Sequence, residues 1–537
     1  MSHEYTYDIS MFRDTFETRF TYLNGFLRNV SRFGSRPALF DPHSGRRWTY
    51  RELNAEANRL AHALRADGVG KNDVVMFTLL NSPEFVFCYL AAHKIGAVAC
   101  PVNYRQGAGE IALVIDDSTP KAFIYDAEFG ELSGGALDLC ESKPAIKIVV
   151  GADDAVPAGQ VRYADYVADQ PENDPPIDFD PHIYDETTRL YTSGTTNRPK
   201  GVPINNINEV LSAHDVMMHF PLGPTDRTMN MTPWFHRGGI HSGGPCPTLY
   251  AGGEVVILRD FAPKRCLEYA AKYNISFLIG VPTIIAMLAR TQERTPHDLS
   301  ALRGIVTMGA PFEKSACEKY MKLLTPNIFN GYGTTESFLN TFLRPFDLPD
   351  NAGSAGRSCT DDEVRIVKLR EDGSHSEPDD MVPHDNVAEG EIIISSPAKS
   401  AFCYYNNPEM TEQKFYKGFL YTGDVENEFV TVRGRKDDMI VSAGENIYPP
   451  QIEAVLNDHP KVAESAVIGA PDKLRGEVVA AYVVPSDPSL TVEELKEYCT
   501  NSPVLSSYKW PRIYNIVDSL PHTATGKIMH RALRNKA

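Results

Sequence analysis

Paired cysteines, basic blocks and long apolar runs are what this chain lacks. Its 9 cysteines lie far apart with no CxxC pair, which argues against a disulfide framework or a thiolate metal site and for free thiols in a reducing compartment. A formal net charge of −17, from 70 acidic and 53 basic residues without a basic cluster, disfavours nucleic acid and anionic membrane surfaces as partners and favours a small-molecule substrate. A membrane span needs roughly 20 predominantly apolar residues. The most apolar region, 74–102, is broken by Asn81, Pro83, Glu84, His93 and Lys94, so no transmembrane segment is expected. The first 20 residues lack the basic-then-apolar order of a secretory signal, and Asn535-Lys536-Ala537 is neither a peroxisomal address nor a prenylation box, so a cytoplasmic location is expected. Internal repeats and low-complexity tracts are also missing. At 537 residues the chain exceeds one ordinary core, and two or more domains are expected.

What is present is an alternation of strands and helices. Thr49 with Glu52 forms a capping box, and Leu53, Ala57, Leu60 and Leu64 recur at helical spacing until Gly68 and Gly70; this predicts an amphipathic helix. An apolar strand over 74–80, a helix opened by Ser82-Pro83 and a strand over 97–102 follow. Further strands are predicted at 277–280, 305–308 and 328–330, each ending in or followed by glycine. This pattern implies an α/β fold with a large N-terminal domain of mostly parallel sheets flanked by helices, and ligands at the strand ends. Residues 356–389 read as a β-rich subdomain with hairpins. Strands at 466–469, 478–484 and 512–517, with a helix capped by Thr491 and Glu494, read as a small mobile α+β C-terminal domain. The boundary is expected at Lys436-Asp437, giving domains 1–436 and 437–537.

The strongest local signal is the run Thr192-Ser193-Gly194-Thr195-Thr196-Asn197-Arg198-Pro199-Lys200-Gly201. Backbone N–H groups freed by glycine, hydroxyl donors and the charge of Lys200 suit a polyphosphate. It is not a Walker A loop, because Pro199 and Gly201 stand where that motif needs Gly and Ser or Thr. Taken by itself, a Ser/Thr/Gly run is as often a polar surface turn.

In wording and order, this loop and five later blocks resemble the adenylate-forming superfamily of acyl-CoA synthetases, beetle luciferases and peptide-synthetase adenylation domains. The blocks are Asn330-Gly331-Tyr332-Gly333-Thr334-Thr335-Glu336, Tyr421-Thr422-Gly423-Asp424, Gly434-Arg435-Lys436-Asp437-Asp438, Ser442-Ala443-Gly444-Glu445-Asn446 and Thr525-Gly526-Lys527. The departure at Asn197, where the family has glycine, is mild because Asn tolerates a left-handed backbone. The resemblance implies an AMP-forming ligase using ATP, Mg2+ and coenzyme A. By the same resemblance Tyr332 offers a face to the purine, Thr335 reaches the α-phosphate, and Glu336 is the metal ligand. Asp424 and Arg435 would hold the ribose, and Lys527 would bridge the attacking carboxylate and the α-phosphate. Pro233-Trp234-Phe235-His236, with Gly239 and His241, resembles the acyl-pocket segment with His236 as its gate. Met308-Gly309-Ala310-Pro311 resembles the loop between adenine and acyl group. Ser442, Ala443, Gly444 and Glu445 would form the CoA-side loop, and Asp437 the hinge.

The acid is less legible: the aromatic segment and the Gly238-Gly239 helix start favour a medium-chain, alicyclic or aromatic acid over acetate. An adenylation enzyme serving a carrier protein shares every motif, and is expected less because no carrier-like segment is read in these 537 residues. A luciferase-like oxygenase is disfavoured because nothing in the sequence suggests an oxygen-activating site and the peroxisomal tail is absent, and an inactive nucleotide sensor by the presence of Lys527 and Glu336. Oligomeric state is open, a homodimer being one option.

Overall fold

The computed structural model describes residues 4–152, 156–192, 199–309, 312, 314–370, 374–383, 388, 390–426, 434–435, 440–443, 445–447, 449–457, 459–503, 505–521 and 530–534. Apolar segments of alternating period build four sheets among these residues. The first has seven strands, in the order Val161–Arg162, Ile146–Val150, Ala122–Asp126, Val74–Thr78, Val98–Pro101, Glu186–Thr192 and Lys200–Asn205. All its pairings are parallel except the closing hairpin. The second has nine strands and is parallel through Pro37–Phe40, Glu254–Val256, Arg227–Asn230, Phe277–Gly280, Gly304–Met308 and Ile328–Thr334. Buried on both faces, such strands read as continuous apolar runs.

Helices cover these sheets for the local reasons visible in the sequence. Tyr50–Ala66 begins at a capping box in which Thr49 and Glu52 satisfy each other's backbone donors. Pro83–Lys94 starts with Ser82 accepting from Phe85 N and Pro83 in the first turn. The chief core cluster lies between these two helices and the first sheet, around Phe77, Phe85, Tyr89 and Leu90.

A third, antiparallel sheet runs from Glu363–Val367 through Gly390–Ser395 to Phe419–Glu426 and Gly434–Arg435. The fourth is formed by strands beyond residue 439, the longest being Val462–Asp472 and Gly476–Pro485, with helix Val492–Thr500 capped by Thr491. Some strands outrun their expected ends, Val462–Asp472 against 466–469 among them. Ile328–Thr334 continues through the whole Asn330–Thr334 motif because Phe338–Leu343 folds back on it as an antiparallel partner.

Candidate active site

The phosphate-loop hairpin is the first wall. Thr192 and Lys200 are cross-strand partners, so both ends of the loop are set, while Ser193, Gly194, Thr195 and Thr196 lie outside the described residues. Tyr405 N donates to Gly201 O at 2.7 Å, which draws residues 401–405 alongside. The Lys200 ammonium then sits 5.7 Å from the centroid of the Tyr404 ring. The Tyr404 hydroxyl donates to Glu336 Oε1 at 2.5 Å, and Ala401 N donates to Glu336 O at 2.9 Å. A cation and a carboxylate far apart in sequence thus face one aromatic ring.

Glu336 lies in the tight turn between Ile328–Thr334 and Phe338–Leu343. Only glycine fits at 333, where an added Cβ would meet Phe338 O at 1.6 Å. Phe338 leaves the turn at φ +66°, a conformation that a bulky side chain holds only when its surroundings impose it. The Thr334 and Ser337 hydroxyls are 3.0 Å apart across the turn. Thr335 and Glu336 are half-buried. Tyr332, expected to follow a strand, instead lies within one and is 8 % exposed, packed with Ala355, Ile392 and Ile394. Gly331 pairs in register with Met308, and Asn330 Nδ2 donates to Ser354 O at 2.8 Å. Gly309 turns the chain with φ +84°, and Ala310 and Pro311 lie outside the described residues. On the third sheet Asp424 and Arg435 are register partners across neighbouring strands.

The acyl-side segment divides. Trp234 is buried in the main core against Phe85 and does not join its neighbours. Phe235 packs edge-on to His236 and to Tyr104, at 5.2 Å in each case. His236 caps the short helix Arg237–His241 by accepting from Gly239 N at 3.1 Å. Desolvation, then the nearby charge of Arg105, pushes its pKa down to about 4, so the ring is neutral at pH 7. Gly239 has no room for a Cβ, which would meet Pro233 O at 1.9 Å, and the position above Gly238 faces Met308 Sδ at 3.6 Å. His241 is fully buried, its Nε2 2.6 Å from Glu209 Oε2. Burial alone would raise the Glu209 pKa, but His241, with His93 and Thr188 adding to it, holds it well below the carboxylate range. Glu209, His241 and Cys246 have the composition of a metal site, yet the carboxylate already bonds directly to His241, Thr188 and Tyr89. The carboxylate is thus satisfied by side chains of the protein itself.

From the other side comes the hairpin Ile440–Ser442/Glu445–Ile447. Ala443 takes φ +51° at its tip. Glu445 is paired with Arg105 at 2.9 Å, beside the Tyr104–Phe235–His236 ring series. Burial raises the Glu445 pKa and Arg105 opposes it. The same interface holds the buried pair of Lys509 with Glu110, and Gly109 N donates to Pro503 O at 2.9 Å. Gly444, Asp437 and Lys527 lie outside the described residues. Tyr404, Arg105, Glu110 and Lys509 were not legible as site residues, since each is an ordinary residue in an ordinary context until the fold assembles it.

Comparison with known proteins identifies the family. Residues 26–405 match the family described as AMP-binding enzyme, and residues 451–527 match the AMP-binding enzyme C-terminal domain. A feruloyl-CoA synthase from an Amycolatopsis species is 32% identical over 501 residues, 92% of this chain and 95% of that protein. A long-chain-fatty-acid–CoA ligase of Mycobacterium tuberculosis is 30% identical over 504 residues, 93% of this chain and 95% of that one. Among solved structures, an o-succinylbenzoate CoA synthetase from Bacillus subtilis, bound to a product analogue, superposes with a TM-score of 0.80 at 27% identity. That match covers 95% of this chain and 98% of the other. The chain belongs to the AMP-binding, adenylate-forming family of enzymes. Within that family it is an AMP-forming acid–thiol ligase.

Proposed function

We propose that this enzyme joins a medium-chain, alicyclic or aromatic carboxylic acid to coenzyme A. A carboxylate oxygen attacks the ATP α-phosphorus, the bond to the β-phosphate bridging oxygen breaks, and pyrophosphate leaves. The CoA thiolate then attacks the acyl carbon and AMP departs with the electron pair of the cleaved C–O bond. A free carboxylate is a poor electrophile, and the acyl-adenylate supplies a good leaving group.

The observation that carries this reading is the meeting of Lys200 and Glu336 at Tyr404, next to a gate residue held neutral. Lys200 and the loop 192–196 suit the polyphosphate. Magnesium enters with ATP as substrate, and the half-buried Glu336 carboxylate, oriented by Tyr404, is a hard oxygen ligand of the kind this ion takes. Asp424 and Arg435 are assigned to the ribose. A His236 with a pKa near 4 is a poor base at neutral pH and serves as a gate, with Phe235, Gly239 and Met308 around the acid. Lys527 is assigned to the carboxylate and α-phosphate, where a positive charge offsets repulsion that grows in the transition state.

A division into domains 1–436 and 437–537, the second rotating about Asp437, lets Lys527 and the Ser442–Glu445 loop act in turn. The position of Glu445 against Arg105 supports a thioester-forming role for this loop. The relatives named for CoA ligation support CoA as acceptor over a carrier protein. The test is pyrophosphate release over a panel of short, branched, aromatic, alicyclic and long-chain acids, with and without CoA. Acid-dependent release with thioester formed only when CoA is present is expected; preference for acetate would overturn the acid class.

A further inference from the structure

Arg237, the residue after the gate, is 2 % exposed. Its Nη1 donates to Thr335 O at 2.6 Å and its Nη2 to Lys399 O at 2.7 Å, with Ser212 Oγ at 3.4 Å. The guanidinium lies 5.4 Å from the ring centroid of Phe338, the residue at positive φ that closes the Glu336 turn. Its Nε is buried with no hydrogen-bond partner, and no carboxylate among the described residues comes within ion-pair distance of it. Burial draws its pKa down to about 10, with Glu209 and then Glu336 opposing the shift, so it is charged at neutral pH.

A charge is a costly way to tie backbone carbonyls together. This fold does the same task with neutral amides elsewhere: Asn230 Nδ2 donates to the carbonyls of Gly238, Gly239 and Ser242, and Asn81 Nδ2 to those of Thr232 and Leu258. The other fully buried cation nearby, Lys399, is neutralised by Asp215 at 3.0 Å and Asp362 at 2.8 Å. Arg237 bonds directly only to carbonyls and a hydroxyl, with Glu209 and Glu336 acting on it at longer range. Its field is therefore only partly offset, beside the turn where the phosphate charge and the metal-facing carboxylate are to meet.

We infer that Arg237 is a positioning residue for adenylation, clamping the Thr335–Glu336 turn to the gate helix and lending it positive charge that no direct ion pair among the described residues neutralises. The inference rests on the function proposed above. It couples acid entry to Glu336: an acid that displaces the His236–Arg237 helix start also moves the carbonyl of Thr335. Binding of the acid and readiness of the phosphate site are then one mechanical event.

The test uses the full-length enzyme and the variants Arg237→Met, Arg237→Gln and Arg237→Lys. Acid-dependent ATP/pyrophosphate exchange is titrated with Mg2+ at fixed ATP, and thioester formation is followed from supplied acyl-adenylate. For Met and Gln we expect exchange to fall about tenfold or more, with a raised half-saturating Mg2+, and near-normal thioester formation; the loss is smaller than the roughly 10²-fold of a donor that touches the reacting group, because Arg237 acts through the turn. Lys should recover part of the loss, because it keeps the charge and can reach a carbonyl. If Met fails to fold, Gln and Lys carry the comparison. Unchanged Mg2+ dependence in a folded Met or Gln variant, or equal loss in both half-reactions, would overturn the inference. Absence of acid-dependent exchange in the parent enzyme would overturn the functional reading itself.

Discussion

At the scale of single residues, the account assigns charge to a few groups and withholds it from one. Lys527→Ala is expected to lower acid-dependent ATP/pyrophosphate exchange by about 10²-fold or more, while thioester formation from supplied acyl-adenylate survives; near-normal exchange would remove the assignment. His236 makes the opposite prediction. Its folded pKa of about 4 lies below the ordinary 6.5, so between those values the unfolded chain binds more protons. The stability linked to this residue is intact above pH 6.5 and lost as pH falls toward 4. The melting-temperature advantage of the parent over His236→Asn should therefore shrink across that window, and a constant gap would contradict the neutral gate. His236→Ala should also change selectivity among acids more than the Michaelis constant for ATP.

At the scale of elements, the turn 334–337 and the Glu209 network bear the load. Gly333→Ala forces a Cβ to within 1.6 Å of Phe338 O, a clash that no side-chain rotation relieves. We expect a folded protein that has lost adenylation, with a stability cost of about 1–3 kcal/mol; wild-type exchange would show that the turn is not part of the site. Glu209→Ala strands buried His241 and should cost about 3–5 kcal/mol in denaturant unfolding. Most elements were legible because their signals are local: Thr49 with Glu52, Ser82-Pro83, and Thr491 with Glu494 each cap the helix expected of them. What escaped depended on partners distant in sequence. The strand Ile328–Thr334 outran its expected end because its partner arrives after the turn. The burial of Tyr332 and Trp234 was not legible, because an aromatic's periodicity does not tell which neighbour will cover it. The tie between Tyr404 and Glu336 has no signature in either segment.

At the scale of the molecule, the Ser442–Glu445 hairpin meets Arg105 through Glu445, and Lys509 with Glu110 is buried at the same interface. Breaking that pair by Glu110→Gln or Lys509→Met should lower thioester formation about tenfold or more while leaving pyrophosphate exchange within about twofold, since desolvated pairs are costly to break. Asp437→Pro fixes φ near −65° and should likewise keep acyl-adenylate formation and lose most CoA transfer. Parallel losses in both half-reactions would contradict alternation between two orientations. Beneath these predictions lies one claim, that the acid is activated as its adenylate. It is tested most directly by supplying an acid whose carboxylate carries oxygen-18, with ATP and CoA, and reading the products by mass spectrometry. The account predicts one labelled oxygen in AMP, none in pyrophosphate, and an unlabelled AMP when the acid is unlabelled. Label recovered in inorganic phosphate, with ADP as the nucleotide product, would contradict it.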